Sequence, residues 1–204
     1  MLGTNPISYA FPTKNERPLV IDFATSSVAR GKIEIARREG KKIPKGWIID
    51  KHGNSSQNVD ELKEGGMLTP LGSLEELGSH KGYALGSLVD ILSGVLSGAN
   101  FGKWVPPFVS YLPLLPNLPG KGLGHFVGAM EVDGFRSVEE FKTSMDIWIN
   151  SFKNAERVDE NKPVYVPGEI EFNTKETRLK TGIPLNDKVL EDLHKLSRKF
   201  AIKL

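Results

Sequence analysis

The stretch PLVIDFATSSVARGKIEIARREG, residues 18–40, constrains the fold of this chain more than any other. PLVIDFA (18–24) is a continuous apolar run of the kind that forms a buried strand. It leads directly into TSSVARGKIEIARREG, where Thr25, Ser26 or Ser27 can cap a helix whose first-turn donors otherwise lack partners. Gly40 supplies the matching stop, since the left-handed turn past a helix end costs glycine least. A strand, a short loop and a helix in this order form the repeating unit of α/β proteins, and their ligands are commonly held at that loop. Asp22, at the carboxyl end of the strand, is therefore a candidate to orient a base or bind a ribose hydroxyl. Local hydrogen bonding to the helix start accounts for it equally well.

The other elements follow from the same rules. ISYAF (7–11) alternates Ile7, Tyr9 and Phe11 between prolines and reads as a strand. WIIDKHGN (47–54) reads as a short strand closed by a Gly53-Asn54 turn. Residues 54–75 are polar and glycine-containing, which predicts a loop with one helical turn. From Ser79 a helix is predicted, with Tyr83, Leu88, Ile91, Leu92, Val95 and Leu96 on one broad apolar face. Residues 101–124 are too rich in proline and glycine for regular helix or inner strand, yet apolar enough to pack on something. HFVGAMEV (125–132) predicts a strand, and Ser137-Val-Glu-Glu140 is a capping box opening a helix with Phe141, Met145, Trp148, Ile149 and Phe152 on one face. VYVPGE (164–169) predicts a short strand, and a last helix from about Asn186 aligns Val189, Leu190, Leu193, Leu196 and Phe200. The fold class is α/β, a mixed β-sheet flanked by helices.

Charge and cysteine content exclude several functions. Lys and Arg number 27 against 25 Asp and Glu, so no face is basic enough to propose nucleic acid. The absence of cysteine removes disulfides, thiolate metal sites and cysteine nucleophiles together. His52, His80, His125 and His194 show no metal-ligand spacing. The N-terminus has no signal-peptide pattern, and the apolar run 83–96 is too short and too interrupted to span a bilayer. The expectation is a soluble cytoplasmic protein.

The run SHKGYALGSLVDILSGVL (79–96) opens with charge where burial follows. A helix N-terminus offers free N–H groups and partial positive charge, Gly82 allows close approach, and Lys81 adds a full charge suited to a phosphate or carboxylate. On spacing alone a solvated lysine beside a serine cap is the simpler account. Val166-Pro167-Gly168-Glu169, with Arg178, Gly182, Ile183 and Pro184 beyond it, can deliver backbone groups to a ligand or simply turn. Lys121 can hold an anion or be solvated. No G-x-G-x-x-G, Walker loop or G-x-S-x-G elbow is present.

In order, LGTNPISYAFP, VIDFATSSVARGK, IPKGWIIDKHGN, PLGS…GSHKGYALGSLVDILSGVLSGANFG, GHFVGAMEVDGF and VPGE…R…GIPL resemble the malate/L-lactate dehydrogenase family, which includes sulfolactate and ureidoglycolate dehydrogenases. The resemblance runs from residue 2 to about 196. It implies an L-sulfolactate-dehydrogenase-like fold that is not a Rossmann fold, consistent with the missing glycine fingerprint. It also implies NAD or NADP as cofactor, a small 2-hydroxy or 2-oxo acid as substrate, and a homodimer. Matched by motif, Asp22, Phe23, Ala24, Lys81, Gly82, Gly168, Glu169 and Ile170 are implied cofactor contacts. Lys121 is the implied substrate contact. The whole chain is expected to be one cofactor-binding C-terminal portion, with a division into a core at 1–135 and a helical appendage at 136–204 as an option.

The departure from the family concerns catalysis. Family chains carry, upstream of the part matched here, a histidine that exchanges the proton, an arginine that grips the substrate carboxylate and a histidine–glycine motif in an early helix. None has a counterpart in this sequence. Hydride transfer needs a group to exchange the hydroxyl proton and a fixed countercharge for the carboxylate. His125 belongs to the GHF strand motif, where the family does not use it as the base. No catalytic residue is therefore assigned. The expectation is a truncated dehydrogenase inactive alone; the alternatives are a non-catalytic dinucleotide-binding remnant, a dimerisation module, or half of a two-gene enzyme.

Overall fold

The computed structural model describes residues 2–107 and 113–203; residues 108–112 of the proline-rich stretch lie outside the described residues. The chain forms two compact units, Met1–Trp148 and Ile149–Leu204.

In the first unit β1 (Ile7–Phe11) and β2 (Leu19–Phe23) form an antiparallel hairpin with Ser8 opposite Asp22. Only Leu19 of β2 is buried, so the strand expected to be internal is half open. Its sheet has two strands. The hairpin connection is clasped by Asp146, whose carboxylate accepts from the N–H groups of Lys14 (3.0 Å), Asn15 (2.8 Å) and Glu16 (3.4 Å). Burial pushes this carboxyl up, but the Asn15, Lys14 and Glu16 N–H donors outweigh it and hold the group below its ordinary range.

Helix α1 (Arg30–Arg38) starts later than the hydroxyl residues suggested, with Ala29 as an N-cap that makes no side-chain bond. Thr25, Ser26 and Ser27 are bonded elsewhere, as described below. The helix stop is as expected. Gly40 takes φ +66°, its N–H donates to the Arg37 carbonyl and that of Lys41 to the Ala36 carbonyl, the bond pattern of a Schellman motif.

Beyond α1 the strands β3 (Ile48–Ile49), β4 (Ser55–Ser56) and β5 (Met67–Leu68) form a second antiparallel sheet in the order β4-β3-β5. The stretch 54–75 read as loop thus supplies two short strands and two turns of 3-10 helix. The core lies between α1 and this sheet. Val28, Ile33, Ile43 and Ile48 are buried, with Ala36, Trp47, Val59, Leu62 and Leu68 packed around them. Each buried isoleucine is worth about 1.5–3 kcal/mol, so this cluster anchors the unit. Strands and helices are mixed as the α/β class requires, but the strands make two small antiparallel sheets in place of one mixed sheet.

Helix α2 (Ser79–Asp90) continues through a π turn at Ile91–Val95. The side it buries is the reverse of expectation. Gly82, Gly86 and Gly94 are buried, while Tyr83, Leu88, Ile91, Val95 and Leu96 are exposed. Small residues face inward because Leu71 backbone presses on Gly82, the Asn100 carbonyl on Gly94, and the Thr25 and Leu2 side chains on Gly86. Asp90, the charge that interrupts the apolar run, accepts from the Gly102 N–H at 2.9 Å through one oxygen and 3.1 Å through the other.

Residues 125–132 pair with no strand among the described residues, so the expected strand does not form there. Helix α3 (Val138–Lys153) opens on Ser137, whose hydroxyl accepts from the Glu140 N–H at 3.3 Å. It runs on into the second unit, which holds α4 (Glu169–Thr181) and α5 (Asp187–Phe200). No strand forms at 164–169; the chain instead turns at Gly168, φ +84°, into α4. Asn186 caps α5 by accepting from the Lys188 N–H at 3.0 Å. No helix among the described residues is long and apolar enough to cross a membrane.

Candidate functional site

The end of β2 and the head of α2 meet through one continuous set of backbone contacts. Past Asp22-Phe23-Ala24, Thr25 is buried. Its N–H donates to the Thr4 carbonyl at 2.8 Å, and its own carbonyl accepts from the Leu71 N–H at 2.8 Å. Ser26 bridges to Pro70, and the Ser27 N–H donates to the Thr69 carbonyl at 2.9 Å. The Ser27 hydroxyl meets that of Thr69 at 2.6 Å, and the Ser26 hydroxyl donates to the Val28 carbonyl at 2.9 Å. The three residues read as helix caps thus weld the β2 end to the 69–71 turn.

That turn in turn seats α2. A methyl group on Gly82 would occupy the place of the Leu71 carbonyl. A methyl on Gly86 would lie 3.0 Å from the Thr25 hydroxyl, and the Asn5 amide donates to the Gly86 carbonyl at 2.8 Å. Gly82 is therefore required by the approach of protein backbone, and the room on its α-carbon is not open to a ligand.

On the outer side of this seam lie the charged groups. Gly78, φ +87°, precedes α2 without a side-chain cap, so Ser79 is not the cap suggested by its type. The Ser79 N–H donates back to the Leu74 carbonyl at 3.2 Å. The stem of Lys81 folds back beside Gly78, with Cδ 3.7 Å from where a β-carbon on that glycine would stand. Lys81 is exposed and has no ion-pair partner among the described residues. Asp22 and Phe23 are exposed at the end of β2. The segments that carry Asp22, Phe23 and Ala24 on one side and Lys81 and Gly82 on the other thus meet through Thr25 and Leu71.

Lys121 is fixed from a different direction. Asn100 is 2% exposed, and its side chain donates to the Gly122 carbonyl at 3.0 Å and accepts from the Gly120 N–H at 3.1 Å. The Lys121 N–H donates to the Gly98 carbonyl at 3.2 Å. Residues 120–122 of the proline-rich stretch are thus held against the segment that follows α2, and Lys121 is exposed there.

Gly168, Glu169 and Ile170 lie in the second unit. Glu169 is engaged in the fold: its carboxylate accepts from the Val166 N–H at 3.2 Å and pairs with Lys153 at 3.1 Å. Ile170 lines an open groove along α4 with Tyr165, Thr174, Arg178 and Pro184. This groove gathers Arg178 and Pro184, both singled out from sequence, around one implied cofactor contact.

His80 and His125 are exposed, and no group of three metal-ligating side chains occurs among the described residues. The positioning residues missed in the sequence are Asn5, Asn100 and Asp146. Each acts on backbone far away in sequence, so no local pattern marks them.

Comparison with known proteins agrees with these motifs. The family model for malate/L-lactate dehydrogenase matches residues 1–194. The malate dehydrogenase of Pyrococcus abyssi is 43% identical over the whole chain, which covers 54% of that protein. Among solved structures, the malate dehydrogenase of Entamoeba histolytica superposes with a TM-score of 0.81 at 32% identity, over 99% of this chain and 56% of that one. The sulfolactate dehydrogenase of Methanocaldococcus jannaschii gives 0.69 at 28% identity, over 98% and 54%. The chain spans about half the length of these relatives and corresponds to their C-terminal part. On sequence and on fold, the chain belongs to the malate/L-lactate dehydrogenase family.

Proposed function

We propose that this chain is the dinucleotide-binding part of an NAD- or NADP-dependent dehydrogenase that interconverts 2-hydroxy acids and 2-oxo acids. The observation that carries the reading is Lys81, exposed, with its stem folded back beside Gly78 in the first turn of α2, on the segment that the 69–71 turn joins to the end of β2. A helix head plus an unpaired ammonium suits a phosphate, because both terms favour the same negative charge.

The donor set fits a dinucleotide. Lys81 holds a phosphate, Asp22 accepts from a ribose hydroxyl, and Phe23 and Ala24 offer apolar surface at the end of β2. Gly82 contributes by letting α2 seat against Leu71, which fixes where Lys81 stands. Gly168, Glu169 and Ile170, in the second unit, are proposed as cofactor contacts on the family motif alone; Glu169 also orders the entry to α4. The bound nicotinamide supplies the hydride donor or acceptor. Lys121 holds the substrate's anionic group. The proton and the main grip on the substrate carboxylate come from a histidine and an arginine of the kind the family carries upstream, so the chain alone binds cofactor without turnover. A homodimer in the cytoplasm completes the reading, and the exposed apolar side of α2 offers surface for it.

The test is fluorescence titration of NADH and NADPH into the purified chain and into Lys81→Ala. Saturable binding of one of them, weakened about tenfold by the substitution, is expected for loss of one phosphate contact. Binding of neither by a folded sample contradicts the proposal.

A further inference from the structure

Glu169 opens α4 with both of its carboxylate oxygens already engaged by the protein. One accepts from the Val166 N–H at 3.2 Å, and the other pairs with the Lys153 ammonium at 3.1 Å. The Glu169 side chain is only 19% exposed, so little of the carboxylate remains for a ligand. All three residues lie in the second unit.

This pair differs from the exposed pairs Lys63–Asp60 and Lys195–Asp192, each of which stays within one helical segment. It ties the last residue of α3 to the first residue of α4, across the chain that joins them. Each charge stands at the helix end that favours it, the cation at a C-terminus and the carboxylate at an N-terminus. Just before Glu169 the chain turns at Gly168, φ +84°, a conformation that glycine adopts at least cost. The Glu169 N–H donates to the Val166 carbonyl at 3.1 Å, and the Phe172 N–H to the Gly168 carbonyl at 3.1 Å. The turn is thus closed by backbone bonds and by a carboxylate that Lys153 anchors.

The charge of that carboxylate matters to any anionic ligand that meets residues 168–170. A partly buried negative charge is poorly screened and repels the phosphates of a dinucleotide. Lys153 sets an opposite charge against it at 3.1 Å. We infer that Lys153 is a positioning residue for dinucleotide binding and acts through Glu169. It neutralises the carboxylate and holds the Gly168 turn, so residues 168–170 meet the ligand through backbone and the Ile170 side chain and not through the carboxylate. The inference rests on the dinucleotide reading above.

The experiment is fluorescence titration of NADH and NADPH, with thermal melts, on the purified chain, Lys153→Ala, Lys153→Arg, Glu169→Gln and the double variant Lys153→Ala/Glu169→Gln. Lys153→Ala is expected to weaken binding about three- to fivefold, the scale of one partly screened charge, with the melting temperature lowered by no more than about 3 °C. Lys153→Arg keeps the charge and is expected to bind like the parent. Glu169→Gln keeps an acceptor for the Val166 N–H and removes the charge, so it still binds, and adding Lys153→Ala to it changes nothing further. No binding by the parent overturns the dinucleotide reading and this inference together. With the parent binding, this inference alone is overturned if Lys153→Ala binds as tightly, or if it weakens binding equally with and without Glu169→Gln, which puts the lysine on the ligand itself. Loss of binding in Glu169→Gln overturns it too, because the carboxylate is then a ligand contact. A larger fall in the melting temperature of Lys153→Ala makes the pair purely structural and overturns it as well.

Discussion

Two neighbouring residues at the head of α2 do different work, and substitution separates them. Lys81 stands outside the seam between α2 and the 69–71 turn; Gly82 is the seam itself. Gly82→Ala forces a β-carbon into the Leu71 carbonyl, an overpacking cost of about 1–3 kcal/mol. Urea unfolding should show that loss for Gly82→Ala, while Lys81→Ala, an exposed change, stays within about 0.5 kcal/mol of the parent. If the two variants lose the same stability, the division of roles is wrong. The sequence made Lys81 legible as a charge at a helix head. Gly82 was legible only as an open space, because the Leu71 backbone that fills it lies eleven residues back and leaves no local trace.

The elements read most faithfully are those whose signals are local. The Ser137 hydroxyl cap, the Asn186 cap and the Gly40 stop are bonds between residues a few positions apart, and each forms. Strands fared worse because pairing is not local. β4 and β5 are two residues long and exist only against β3, whereas 125–132 has the pattern of a strand and no partner among the described residues. Asp146 works at this scale too, clasping the β1–β2 connection from α3. Its carboxyl is held below its ordinary value of 3.8, so its contribution is complete above that value and disappears as pH falls through the lower folded one. The melting-temperature gap between the parent and Asp146→Asn should therefore be widest above about pH 5 and close under stronger acid. A gap that widens toward acid would contradict the clasp. The apolar side of α2 illustrates the remaining gap between pattern and structure. Periodicity located the face, but glycines seat the helix and the apolar face looks outward.

At the scale of the whole molecule, the first unit joins the end of β2 to the head of α2, and the chain corresponds to about half of its relatives. The family and the α/β class were legible because six motifs occur in order; the two-sheet arrangement was not, because it depends on which strands find each other. On this account binding and turnover are separable. On the proposed function, the chain's residues hold the dinucleotide, and the proton-exchanging and carboxylate-gripping groups belong to the part of the relatives that it does not match. The measurement that tests this most directly is NADH and NADPH oxidation with a panel of 2-oxo acids, by the chain alone and after addition of the N-terminal part of a related malate dehydrogenase. No turnover alone and turnover on addition is the predicted result. Turnover by the chain alone, or a complex that binds the dinucleotide and stays inactive with every 2-oxo acid, would contradict it.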